Sequence, residues 1–255
     1  MKYCWLLAYV GIGVASWSGC IAGNWDTRIG PLYAPPSLES IAGLCGTDIF
    51  GRSVLFKVIK GTEVALFVGF VTAMVSIFIG TLLGAIAGFF GGLLDASILW
   101  CMTVLSSIPH IMLLVAISFL LQRGLFAMII ALSVTSWVSL ARMVRTYVLQ
   151  QKVHEYVLAA QSLGASRLRL LCVHILPGAF PMLAVFFITA CISAIKQEVV
   201  LSFLGLGVQG YPSWGIMIDD AKNELLRGVW WQFLAATIAL FGIVLNLSSL
   251  SEKKT

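Results

Sequence analysis

The chain has 255 residues, 60% of them hydrophobic and only 11% charged, with a mean hydropathy of +0.98 and a formal net charge of +5. A soluble domain carries ~25% charged and ~45–50% apolar residues, so this is the composition of a chain dissolved in lipid; it excludes disorder, collagen, coiled coil and a secreted disulfide scaffold. The 16 Lys and Arg sit between apolar runs, where they anchor spans at headgroups rather than build a nucleic-acid face.

A helix crosses the hydrocarbon core with ~20 mostly apolar residues, because every backbone amide must find its partner inside the segment. That rule predicts an all-α integral membrane fold of six transmembrane helices. They run roughly over Tyr3 to Gly23, Val64 to Phe90, Ile98 to Leu121, Leu125 to Ala141, Ala179 to Ile195 and Val229 to Leu247, and a polar stretch from Arg142 to His174 interrupts the pattern. The first run ends in Ser18-Gly19-Cys20, which also reads as a lipoprotein cleavage site, but Trp17 stands where such sites take a small aliphatic residue. Lys and Arg divide equally between the two sides of such a bundle, so the positive-inside rule leaves orientation open.

Candidate chemistry is sparse. The six Cys, at 4, 20, 45, 101, 172 and 191, lack a C-x-x-C pair and read as small buried residues. Gly46 to Ser53 nearly spells a phosphate-binding loop, but Arg52 replaces its Lys and no strand pattern precedes it. His154-Glu155 would need a second His one turn later for a zinc protease, and position 158 is Leu. No catalytic group, metal site or cofactor is predicted. Gly80, Gly84 and Gly88 place small residues on one stripe, suited either to packing within the chain or to a seam with another subunit.

The most informative stretch is the polar loop. The run from Glu155 to Leu163 has strong helix formers up to Gly164, a residue able to end the helix in a left-handed conformation. Tyr156, Ala159, Ala160 and Leu163 fall at i, i+3, i+4 and i+7, an apolar stripe with small residues at its centre that leaves room for another protein's side chains. Pro177 is placed to start the next span, where its missing amide costs nothing.

The run from Glu155 to Gly164 followed by Ile175-Leu176-Pro177 resembles the "EAA" loop of permease subunits in binding-protein-dependent ATP-binding cassette importers. Further stretches are similar to the C-type subunit of the dipeptide, oligopeptide and nickel branch. They are Gly46-Thr47-Asp48 with Gly51-Arg52, Trp137 with Ala141-Arg142 and Val144-Arg145, and Glu198 with Leu201, Gly205, Gly207, Pro212 and Trp214. The tail departs from the pattern by stopping at Lys253-Lys254-Thr255.

The resemblance implies a cytoplasmic coupling helix between helices four and five, built on Glu155, Tyr156, Ala159, Ala160 and Gly164 with Leu176 and Pro177 behind it. It implies a first helix and outer-side segment at 1–62, a five-helix permease core at 63–249 and a short cytoplasmic tail at 250–255, with both termini inside a bacterial inner membrane. The implied partners are a second permease subunit, two ATPase subunits, an extracytoplasmic solute-binding protein and the lipid bilayer, with no nucleic acid and no cofactor. Peptides are the leading cargo, with nickel or another small solute the alternative. A secondary transporter would need interior ionisable residues and two related halves, and a membrane enzyme would need catalytic groups; the sequence displays neither.

Overall fold

The computed structural model describes residues 2–19, 21–208 and 210–251, so Cys20 and the tail from residue 252 onward lie outside the described residues. The described chain is helical, with two isolated bridges, Arg28 to Arg52 and Thr47 to Ser53. Its helices are α1 (Lys2–Trp17), α2 (Val54–Phe90), α3 (Gly92–Ser107), α4 (His110–Leu120), α5 (Leu125–Gln151), α6 (Glu155–Ser162), α7 (Arg167–Arg169), α8 (Phe180–Leu201), α9 (Trp214–Leu225) and α10 (Trp231–Ser251).

Six crossings are not what the chain forms. Among the described residues four helices are long and apolar enough to span: Val54–Phe90, Leu125–Gln151, the continuous stretch Arg167–Leu206, and Trp231–Leu250. The pair α3 and α4 adds at most a fifth, in two pieces bent by 94°. The expected first span is α1, whose 16 residues rise only ~24 Å, short of the ~30 Å hydrocarbon core. The helix at Glu155 therefore does not separate a fourth crossing from a fifth; it follows the second of four, or the third of five.

The α3–α4 break has a local cause. Proline disfavours helical geometry in the residue before it, and Ile108, which precedes Pro109, is extended at φ −87° and ψ 132°. Neither half spans alone, yet together they carry the chain through the bundle. Gly80, Gly84 and Gly88 of α2 meet Leu140, then Ala141 and Val144, then Arg145 and Val148 of α5, in the same order along both helices. Because α2 and α5 run parallel, the segment joining the end of one to the start of the other must return across the bundle.

The polar stretch expected from Arg142 onward proves shorter, since α5 continues to Gln151 and the next helix resumes at Arg167. Its arginines are accommodated sideways by α3. Asp95 accepts from Arg145 Nε and Nη2 at 2.6 and 2.7 Å, and Ser106 Oγ lies 2.9 Å from Arg142 Nη2. Pro177 lies inside the stretch Arg167–Leu206 rather than at its start; a π-helical turn over Leu170–Ile175 and a 3-10 turn over Leu176–Ala179 absorb the missing amide.

The cysteines also differ from expectation: Cys191 is buried and Cys45 half-buried, whereas Cys101 and Cys172 are exposed.

Candidate functional site

The bend between α3 and α4 opens a cleft of about 550 Å³ against the middle of α5 and α8. Its walls are unexpectedly polar for helices of this composition. Ser106, His110, Thr135, Ser139 and Arg142 line one part, and Thr189, Ser193 and Gln197 the other. His110 Nε2 and Gln197 Oε1 are 3.0 Å apart and tie α4 to α8. Sequence reasoning placed none of these residues in a cleft, and Arg142 entered it only as the lead into the polar loop. A signal was present: Thr189, Ser193 and Gln197 recur at i, i+4 and i+8, a polar stripe along an otherwise apolar helix.

The glycine stripe of α2 is buried against α5, inside the chain. An added Cβ at Gly80 would stand 3.0 Å from Leu140 Cβ and from the Trp137 carbonyl, and one at Gly88 2.7 Å from the Arg145 carbonyl. At Gly84 it would meet the Ala141 carbonyl oxygen directly. The stripe lets the α2 and α5 backbones approach within one molecule, rather than facing another subunit.

Helix α6 hangs from the end of this pair. Val157 is its buried anchor, packed with Phe89, Val148, Leu170 and Ile175, and Ala160 is half-buried beside it. Tyr156, Ala159 and Leu163 stay exposed, Leu163 at 89%. Tyr156 is held by a hydrogen bond from its hydroxyl to Gln151 Oε1 (2.8 Å) and stacks on His154. Gly164 ends the helix at φ +85°, its amide donating to Gln161 while the Ala165 amide donates to the Ala160 carbonyl at 3.1 Å. Glu155 is exposed in the first turn; Leu176 is half-buried behind α6 and Pro177 is exposed.

The segment after α8 is more interior than its sequence suggests. Glu198 is fully buried and accepts from Ser202 Oγ at 2.7 Å, and Leu201 is 1% exposed. Gly205, at φ +75°, breaks the helical path, and Gly207 has room for no side chain because a Cβ would stand 2.6 Å from Ser202 Oγ. Pro212 is buried, and Ser213 caps α9 by accepting the Ile216 amide (3.3 Å). Trp214 is fully buried against Gly61 of α2 and donates its ring N–H to the Val58 carbonyl (3.0 Å). Phe203, Leu204 and Tyr211 are exposed here.

The Gly46-Thr47-Asp48 motif proves to be the clasp of the same end. Asp48 Oδ1 accepts the Phe50 and Arg52 amides, each at 2.9 Å, and its Oδ2 pairs with the buried Lys57 (3.1 Å). Lys57 also reaches Gln232 Oε1 (3.3 Å), and Trp231 donates to the Thr47 carbonyl (3.0 Å), so the starts of α2 and α10 are joined. Burial raises the pKa values of Asp220 and Glu224 on α9, against the opposing pull of Lys57. Among the described residues no cluster of His, Cys, Asp and Glu is arranged to hold a metal ion.

Comparison with known proteins places this architecture. The profile of the family described as "Binding-protein-dependent transport system inner membrane component" matches residues 80–251. The dipeptide transport system permease protein DppC of Bacillus subtilis (strain 168) is 36% identical over 217 residues, covering 82% of this chain and 67% of that protein. The oligopeptide transport system permease protein OppC of the same organism is 38% identical over 201 residues, 77% of this chain and 66% of its own length. The glutathione transport system permease protein GsiD of Shigella dysenteriae serotype 1 (strain Sd197) is 34% identical over 200 residues, 78% of this chain and 64% of that protein. The chain thus spans about two thirds of the length of these relatives. A crystal structure of an amino acid ABC transporter with histidines shares the fold at a TM-score of 0.60 and 18% identity, covering 77% of this chain and 91% of that one. The chain belongs to the family of binding-protein-dependent transport system inner membrane components, as a multi-pass permease subunit of the peptide-importer type, whose ATP hydrolysis takes place on separate subunits.

Proposed function

We propose that this subunit supplies one wall of a transmembrane path for di- or oligopeptides and that a second permease subunit supplies the other. The observation that carries this reading is the cleft at the α3–α4 bend: a space of about 550 Å³ with polar side chains in its walls, set among apolar spanning helices, open on one side and so incomplete in the single chain.

Helix α6 is the part that receives force in this reading. It is anchored by Val157 and leaves Tyr156, Ala159 and Leu163 uncovered, a face that fits a cleft on an ATPase subunit. Two such ATPases close on ATP, displace α6, and carry the movement through Leu176 and Pro177 into α8 and through the α2–α5 seam. A near-complete switch of access requires ATP to favour one state by ~5.5 kcal/mol, which only a firmly held helix transmits.

This orientation puts α6 and the end of α10 in the cytoplasm of a bacterial inner membrane. The start of α2 then lies on the opposite side, where α1 packs antiparallel to it, with Ser16 bonded to Glu63. A solute-binding protein docks on the opposite end, where Phe203, Leu204 and Tyr211 are exposed. Segments 1–62, 63–249 and 250–255 then serve as entry segment, permease core and tail.

Reconstitution of the complex in vesicles tests the assignment. Gly164→Leu and Glu155→Lys should leave the protein inserted while ATP hydrolysis continues without uptake. Normal uptake by both variants removes the role given to α6, and uptake by the isolated chain removes the need for the ATPases.

A further inference from the structure

Arg142 sits on the wall of the cleft, and every partner it has there is neutral. Its Nη2 donates to the Met102 carbonyl (3.3 Å) and to Ser106 Oγ (2.9 Å). No carboxylate among the described residues pairs with it, whereas Arg145, nearly one turn further on, is neutralised by Asp95. Among the described residues that line the cleft there is no Asp or Glu at all. Helix α4 also begins at the cleft, at Pro109 and His110, with no side chain capping its first amides, so the positive end of its dipole adds to the same sign of potential. A cation kept without a counter-ion among spanning helices is costly unless water and a passing solute reach it.

We infer that Arg142 is the specificity-determining residue of the cleft: it presents a positive charge to a carboxylate on the solute in transit, such as the C-terminus of a peptide, and opposes a bare metal cation. The inference rests on the cleft being the transport path, as proposed above. The chemistry suits the role. A guanidinium has five N–H donors in a planar fork, and the two bonds to α3 occupy only Nη2, leaving Nε and Nη1 without partners among the described residues. The neutral bonds aim the fork without cancelling its charge, and the solute completes the ion pair that the fold omits.

The potential can be read directly. Ser139 lies on the same wall, three residues before Arg142, so Ser139→Cys in a chain whose six native cysteines are replaced by Ala places a thiol beside the guanidinium. The assembled complex in vesicles is labelled with an anionic methanethiosulfonate (ethylsulfonate) and a cationic one (ethyltrimethylammonium). With Arg142 the anionic reagent should be favoured, and Arg142→Gln should lower the anionic-to-cationic rate ratio by roughly tenfold, while Arg142→Lys preserves it. Uptake in the complex with native cysteines is then compared for a dipeptide and its C-terminal amide, each delivered by loaded binding protein. Arg142→Gln should slow the free acid about tenfold more than the amide. An unchanged labelling ratio, or an equal fall for both solutes, overturns the inference and leaves Arg142 as a brace for the bend. Absence of ATP-driven uptake by the unaltered complex counts instead against the proposed function.

Discussion

Gly84→Ala is the most direct test of the seam that aligns α2 with α5. The new methyl group would meet the Ala141 carbonyl oxygen and stand 3.0 Å from Val144 Cβ and 3.1 Å from the Ala141 carbonyl carbon. These are backbone and β-carbon atoms, with no flexible side-chain end to swing away, so the two helices must separate. Overpacking of this kind costs ~1–3 kcal/mol, and the upper end applies because separation at Gly84 also loosens the contacts at Gly80 and Gly88 on the same stripe. Exchanging Gly for Ala within a helix returns ~1 kcal/mol, which leaves a net loss of about 1–2 kcal/mol. For a chain of this size that lowers Tm by roughly 2–8 °C. Gly11→Ala in α1 is the control, since an added Cβ there meets none of the described atoms within 4 Å and the helix-propensity gain remains. Thermal unfolding of the purified complex in one detergent checks both variants. A Gly84→Ala protein as stable as the unaltered one would refute the argument that close backbone approach, rather than glycine's flexibility, is what the stripe provides.

Other expectations follow from the clasp and from α6. Asp48→Asn keeps the shape but removes the nearer charge facing buried Lys57, so it should destabilise by about 3 kcal/mol and make the segment before α2 susceptible to limited proteolysis; a resistant variant would show that Gln232 and the more distant Asp220 (4.0 Å) suffice to hold Lys57. Glu224 is 3% exposed and burial raises its pKa, so the folded state binds its proton more tightly than the unfolded state. The stability tied to that proton is fully present below the ordinary glutamate value and is lost as pH rises through the raised one. Glu224→Gln should therefore raise Tm more at pH 8 than at pH 5, and a pH-independent difference would contradict it. Gly164→Leu forces a side chain into the left-handed region at φ +85°, costing ~1–2 kcal/mol that falls on the end of α6 rather than on the bundle, so amide exchange should rise at 160–165 and stay unchanged in α2.

The chain's own letters carried the spanning runs at α2, α5, α8 and α10, because burial in lipid demands apolar composition over a fixed length and composition is local. They carried the end of α6 as well, since Gly164 after a run of helix formers has a backbone meaning independent of its surroundings. Even the polar stripe at Thr189, Ser193 and Gln197 was present as a period, though without a direction. Direction is what packing added. Whether α1 crosses, whether Ile98 to Leu121 is one rod or two halves bent at Pro109, and whether the glycines of α2 face α5 or a neighbour all depend on which surfaces meet. The same holds for Arg142, which hydropathy treats as the start of a loop although α3 receives it within a helix that continues to Gln151. Hydrophobicity along one helix fixes how much of it must avoid water, but partners far apart in sequence decide which side faces lipid, which faces protein and which is left open as a path.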